Sequence, residues 1–108
     1  MTKYFTSASF AQRHIKEIGT AYATILDCST IHYSILSICN QILDNDIEMR
    51  RDKSFWSFRK IVFITSTGAT DDSSLVFNSG IKIIARIAID FNKDTKIYTV
   101  ELINDWLK

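Results

Sequence analysis

Proline is absent from this sequence, glycine occurs three times and cysteine twice. Three scattered glycines cannot build a glycine-rich phosphate-binding loop, which needs several of them close together. No apolar run approaches the ~20 residues that a membrane-spanning helix requires, and the opening stretch MTKYFTSASFAQRH lacks a continuous apolar segment of signal-peptide length. We therefore expect a cytoplasmic protein that makes no contact with a membrane.

An excess of one charge is also lacking. The 108 residues carry 13 basic and 12 acidic side chains, a formal net charge of +1, so the whole chain is not drawn to nucleic acid or to an anionic membrane. A hydrophobic content of 46% predicts a single globular domain over residues 1–108, large enough to bury its own core. The missing proline and the excess of isoleucine over leucine are typical of AT-rich genes, which are common among mobile bacterial elements.

The two cysteines do not suit a disulfide or a metal site. Cys28 and Cys39 fall in one predicted helical region, about 16 Å apart along its axis, which is too far for a disulfide. His32 shares their side of the helix, but about 10 Å separates it from Cys39, too far for ligands of one zinc ion. We expect buried free thiols and a structural histidine, and we predict no metal and no cofactor.

The first half of the chain, residues 7–46, has helical periodicity. Ser7 or Ser9 can cap a first helix and Gly19 marks a close approach to its neighbour, while residues 27–30 interrupt the pattern. The second helix is expected to end near residues 44–46, and residues 44–54 to connect it to the second half. The apolar stripes that define the two helices are Ala11, Ile15, Ile18, Tyr22 and Ile25, followed by Ile31, Ile35, Ile38 and Ile42.

The second half, residues 55–103, alternates with a period of two. The stretch IKIIARIAIDF at 81–91 places an apolar residue at every second position, which predicts a long strand with one buried face. Residues 55–66 and 96–103 predict two further strands, and residues 75–77 a fourth strand or a helical turn. Residues 3–6 suit an edge strand or a loose arm. The sequence thus predicts an α+β fold, with two antiparallel helices packed on one face of a three- or four-stranded antiparallel sheet.

The opposite face of that sheet is the predicted partner-binding surface, because it mixes charge with aromatic side chains. Trp106 joins it if the last residues form an apolar patch instead of packing down as a latch. Asp71 and Asp72, although adjacent, lack the ligand spacing of a calcium loop and more simply cap the next turn. The predicted binding residues are Trp56, Lys60, Lys82, Arg86, Asp90, Asp94, Glu101, Asp105 and Trp106.

A second hypothesis concerns nucleic acid. One segment interleaves basic and aromatic side chains, a pattern that can follow a phosphate backbone and stack on bases. His14 and His32 could then act as the acid and base of a ribonuclease, although no local motif links either of them to a catalytic lysine or threonine. The segment's residues are Arg50, Arg51, Lys53, Trp56, Arg59 and Lys60.

We favour binding over catalysis, because no nucleophile, phosphate-loop or metal motif is present. In kind, though in no motif, the chain resembles the immunity proteins of bacterial contact-dependent or polymorphic toxin systems. That resemblance implies a small protein that neutralises a cognate toxin or enzyme by direct binding. Separately, we expect no enzymatic activity, and either a monomer or a homodimer joined through the sheet face opposite the helices. For a nuclease target, the contact would use Asp90, Asp94, Glu101 and Asp105, or would lie away from the active site of the nuclease.

Overall fold

The structure is a computed structural model that describes residues 2–51 and 56–105, with side chains in the first range up to residue 48. Five strands form one antiparallel sheet in the order β1-β5-β4-β2-β3. Two long helices, α1 and α2, pack on it, which confirms the predicted α+β class. In chain order the elements are β1 (Thr2–Phe5), α1 (Ala8–Ile25), α2 (Ser29–Arg51), β2 (Phe58–Thr65), β3 (Gly68–Thr70), α3 (Ser73–Ser79), β4 (Ile83–Asn92) and β5 (Ile97–Ile103).

Helix α1 is capped by Ser7, one of the two predicted caps, whose side chain accepts a hydrogen bond from the Phe10 backbone amide at 3.4 Å. Its buried stripe includes Ala11, Ile15, Ile18 and Tyr22, and the stripe lies against α2 and the sheet. Gly19 is the predicted point of close approach, because a Cβ atom there would come within 3.5 Å of the His32 side chain on α2.

Helix α2 is longer than the sequence predicted, because it continues to Arg51 instead of ending near residues 44–46. The polar run was misleading. Leu43 extends the buried stripe, Ile47 packs partly buried against the core, and the buried carboxylate of Asp46 accepts a hydrogen bond from the Tyr98 hydroxyl. A satisfied carboxylate can occupy a buried helical position that the pattern alone assigns to solvent.

The sheet has one strand more than the upper limit predicted. Strand β3 lies after the predicted strand 55–66, where the sequence indicated no strand, and residues 2–5 form the edge strand β1 beside β5. Residues 75–77, expected to be a fourth strand or a helical turn, lie in α3. Asp72 caps α3 by accepting from the backbone amides of Ser74 and Leu75, as expected for this acidic pair.

The two faces of the sheet follow from the register of β4. Ile87 lies opposite Val62 and Leu102, and these positions face the helices. We call the opposite side the outer face, and its central row joins Ile61, Ala88 and Glu101. In the part of the chain that the structure describes, no helix is both long and apolar enough to cross a membrane.

Candidate functional site

The predicted partner surface is divided between the two faces of the sheet. Arg86, Asp90 and Glu101 lie on the outer face, whereas Lys60 lies on the helix side, where Trp56 shares a cleft with it. The prediction that Lys60 shares a face with Arg86 is therefore wrong. Lys82 and Asp94 are exposed in loops, Asp105 follows β5 and pairs with Arg86, and Trp106 lies outside the described residues.

The charges of the outer face are largely paired with each other. Arg59 donates from Nη1 to both carboxylate oxygens of Asp90, at 3.1 and 2.9 Å. Arg86 donates from Nε and Nη2 to Asp105, at 2.7 and 2.9 Å, and these hydrogen bonds raise the pKa of its guanidinium group. Glu101 lies opposite Ala88, and no described residue forms a hydrogen bond or an ion pair with its carboxylate. Among the described residues, the face thus presents two ion pairs and one carboxylate, that of Glu101, without a described partner.

A cleft of about 340 Å³ opens on the helix side, between the second half of α2 and the start of β2. Residues on one side of α2 form its upper wall, alternate residues around the start of β2 form its lower wall, and Asp71 closes it where β3 ends. We call this feature the α2–β2 cleft; its residues are Gln41, Ile42, Asn45, Asp46, Trp56, Phe58, Lys60 and Asp71.

An aromatic row extends from the cleft across the sheet. The ring of Phe58 stacks on Phe91 at 6.2 Å between centroids, and Phe91 packs on Tyr98 at 4.9 Å. The Tyr98 hydroxyl donates to Asp46, which joins this row to α2 and closes the inner end of the cleft. At the outer end, Trp56 is 64% exposed. The cleft therefore has an apolar base and an open, aromatic mouth.

The polar side chains around the cleft are available to a ligand. Gln41, Asn45, Lys60 and Asp71 are all exposed, and none of them hydrogen-bonds or ion-pairs with another described residue. Buried positions must satisfy their polar groups internally, whereas these four rely on water. The arrangement offers two amides, one ammonium group and one carboxylate around an apolar base.

Beside the cleft, β2 also has a free edge. Strand β3 pairs only with Phe63, Ile64 and Thr65, so within the described chain residues 58–62 have no strand on that side. An unpaired strand edge exposes backbone donors and acceptors to which another chain can bind.

The two histidines are not brought together. His14 lies near Phe5 of β1, with ring centroids 5.5 Å apart, and near Glu17 at 3.8 Å. Its pKa is lowered, mainly by burial and then by the charge of Lys3. His32 lies in a different surface depression, with Nδ1 3.3 Å from the Thr20 hydroxyl. His14 and His32 are therefore not placed to act together as the acid and base of a ribonuclease.

Both cysteines are free thiols, as predicted, but only Cys39 is buried, whereas Cys28 is half-buried. Burial, with a smaller contribution from the charge of Asp71, raises the pKa of Cys39 to about 12. The residues that the structure describes contain no group of three or more side chains able to hold a metal ion.

The basic segment of the nucleic-acid hypothesis is divided as well. Arg59 is ion-paired on the outer face and Lys60 lies on the helix side, so they do not form one basic surface. The side chains of Arg50 and Arg51, and all of Lys53, lie outside the described residues.

Sequence reasoning missed the α2 contribution to the cleft, because Asn45 and Asp46 were assigned to a connecting segment. It also treated Asp71, together with Asp72, as a cap of the next turn after setting aside a calcium site. The one available signal was the spacing of Gln41 and Asn45, which places both amides on one side of a helix if that helix continues. The sequence matches no family model, and neither a curated protein nor a solved structure is significantly similar to it.

Proposed function

We propose that this chain is a protein-binding module that neutralises a toxin or an enzyme inside the cell by covering part of its surface, as an immunity protein does. The observation that carries the proposal is the exposed Trp56 at the mouth of the α2–β2 cleft. A tryptophan exposed to this extent leaves much apolar surface in contact with water, and burying that surface against a partner is favourable. Tryptophan residues are also enriched at the energetic centres of protein interfaces.

Three neighbouring features support this assignment. The cleft base is apolar, its rim carries polar side chains without described partners, and the edge of β2 at residues 58–62 can accept a strand. An interface needs an apolar centre surrounded by polar groups that form new hydrogen bonds, and this region provides both. The proposed activity is binding alone, without a reaction of its own.

The outer face contributes less to this proposal than the sequence suggested. Asp90 is already engaged by Arg59, and Asp105 by Arg86, so binding through them would first break an existing pair. Glu101 and Asp94 are the predicted carboxylates for which no such pair is described. They are suited to secondary contacts with a basic partner.

The test is affinity capture from the native cells with the tagged wild-type protein, Trp56→Ala and Tyr33→Ala, with and without nuclease. Tyr33 is the matched control, because it is an aromatic residue of 71% exposure at the other end of the helical pair. We expect the wild-type protein to capture one stoichiometric protein partner, with or without nuclease treatment. Tyr33→Ala should still capture this partner, and Trp56→Ala should not. Recovery of RNA or DNA instead, or equal recovery by all three proteins, would contradict the proposal.

A further inference from the structure

Strand β3 is short, and the space beside β2 changes where β3 ends. Where β3 is present, it fills the space under α2: a Cβ atom at Gly68 would lie 3.1 Å from the Ser34 hydroxyl oxygen, and Ala69 packs against the core. After Asp71 the chain enters α3, and the α2–β2 cleft opens between α2 and the start of β2. The cleft therefore lies where β3 would run if it continued along β2.

The free edge of β2 at residues 58–62 indicates what can fill this space. In an antiparallel sheet, a strand directs alternate backbone donors and acceptors to the neighbour on each side. Strand β4 takes those on one side of residues 58–62, and within the described chain no backbone group pairs with those on the other side. A row of donors and acceptors at this spacing is complemented by the backbone of another extended chain.

A second copy of this chain is a poor occupant of the edge. Antiparallel pairing of residues 58–62 with themselves, centred on the middle residue, would set Lys60 opposite the Lys60 of the second copy, and like charges directly opposite each other destabilise a sheet. In the same register, residue 57 of the second copy would fall opposite Phe63, where Thr70 already pairs. A segment of a different protein can end before Thr70 and need not carry a lysine at that position.

The cleft also indicates which side chain such a segment would bring. Residues directly opposite each other in an antiparallel pair lie on the same face of the sheet, so the residue opposite Phe58 would point into the cleft. There it would meet the apolar side chains of the lining, which are Phe58, Ile42 and Trp56. We expect an apolar residue at this position, because its burial removes apolar surface from water on both sides of the contact.

We propose that the protein partner adds a short antiparallel strand to β2 at residues 58–62 and inserts an apolar side chain into the α2–β2 cleft. The antiparallel direction is that of every other pair in this sheet, and parallel pairing is slightly less stable. The identity of the partner rests on the proposed function, but the capacity of the edge to accept a strand does not.

The test is an NMR titration of the ¹⁵N-labelled full chain with the peptide acetyl-Thr-Val-Thr-Thr-Leu-Thr-amide, whose leucine would lie opposite Phe58. We expect saturable shifts of the backbone amides of residues 58–62 and of the Trp56 indole. The matched control is the same peptide with N-methyl groups on its two central residues, one of which must face β2. It should bind at least about fivefold more weakly. The absence of saturable shifts at residues 58–62, or equal affinity for both peptides, would overturn the proposal.

Two further changes test the contact in the cleft. Replacing the leucine of the peptide by threonine should weaken binding by about two- to fivefold, and Trp56→Ala should weaken it by a similar factor. Tyr33→Ala is the control, because Tyr33 is an exposed aromatic residue that does not line the cleft, and it should leave the affinity unchanged. Unchanged affinity for the threonine peptide would show that no apolar side chain enters the cleft, and the proposal would be wrong.

Self-association is the competing outcome. If the shifts at residues 58–62 appear when the concentration of the chain alone is raised, and sedimentation shows a dimer, the edge pairs with a second copy and our inference is wrong. The capture experiment is independent of this result. A partner lost with Trp56→Ala, without peptide binding, rejects only the inference, whereas peptide binding without any captured partner rejects only the proposed function.

Discussion

The two faces of the sheet differ in how their side chains are accommodated: one face buries apolar residues, and the other pairs charged residues that remain partly exposed. On the helix side of β4, Ala85, Ile87 and Ile89 are fully buried under α1 and α2. On the outer face of the same strand, Arg86 and Asp90 are held by partners of opposite charge from other segments. One face is covered by packing and the other neutralises its own charges.

The α2–β2 cleft is neither covered by packing nor neutralised by ion pairs within the described chain. It lies on the helix side, but beyond the point where the helices cover the sheet completely. Its exposed polar side chains, those of Gln41, Asn45, Lys60 and Asp71, have no described partners. The comparison teaches that charge alone does not indicate a binding surface. Charges that are already paired stabilise the fold, and unpaired polar groups beside an exposed aromatic residue are available for recognition.

The largest expected loss of stability comes from comparing the same substitution, isoleucine to alanine, on the two faces of the sheet. Ile87→Ala removes a fully buried side chain from the helix side and should lower the free energy of unfolding by about 2–5 kcal/mol. Ile61→Ala, at a half-buried position in the outer row, should cost less than half as much. Urea denaturation followed by circular dichroism measures both. Equal losses would show that the outer face is covered as thoroughly as the inner one.

The next effect concerns the tyrosine that closes the cleft. Tyr98→Phe removes the hydroxyl that donates to the buried carboxylate of Asp46, and it should cost about 1–3 kcal/mol of stability. Tyr4→Phe is its control on the outer face, because Tyr4 is 71% exposed, and it should stay within about 0.5 kcal/mol of the wild type. If Tyr98→Phe leaves the free energy of unfolding unchanged, the buried carboxylate of Asp46 does not depend on this hydrogen bond.

The fold was largely predictable because its signals are periodic. Two periodic patterns indicate burial directly, and they predict the helices, the central strand and its buried face. They are the helical stripe of Ile15, Ile18 and Tyr22 and the alternation of Ala85, Ile87 and Ile89. The length of α2 was not predictable in this way. Its last turns depend on Tyr98, which is 52 residues from Asp46 along the chain, and such a contact leaves no local pattern.

The site was predictable only in part for the same reason. Trp56 and Lys60 were identified from their local pattern, but their placement beside Asp71 follows from the pairing of β2 with β3 and from the continuation of α2. The placement of Lys60 with Arg86 was wrong because a strand alternates, and a one-residue error in register exchanges the two faces. Long-range pairing, and not residue type, decides which side chains meet.

Substituting charged and polar residues should produce a smaller difference in stability loss between the outer face and the cleft. Breaking the pair of Arg86 and Asp105 with Arg86→Met should cost about 1 kcal/mol, and Arg59→Met somewhat less, because the Arg59 side chain is more exposed. Asp71→Asn and Asn45→Ala, in the cleft, should change stability by less than about 0.5 kcal/mol. Thermal unfolding at low and high salt checks this ordering. A large loss with Asp71→Asn would mean that the cleft serves stability.

The smallest expected effect is a pH dependence of stability from His14 of α1, whose ring lies beside that of Phe5 in the edge strand β1. Burial, and then the positive charge of Lys3, lowers the pKa of His14 below 6.5. The unfolded chain therefore binds a proton more readily than the folded one, and this group makes stability fall as pH drops from above 6.5 to the folded pKa, with no further loss below it. NMR titration of the His14 ring protons should give a midpoint below 6.5, and Lys3→Met should raise it. A wild-type midpoint at or above 6.5 would show that the carboxylate of Glu17, 3.8 Å from the ring, outweighs burial.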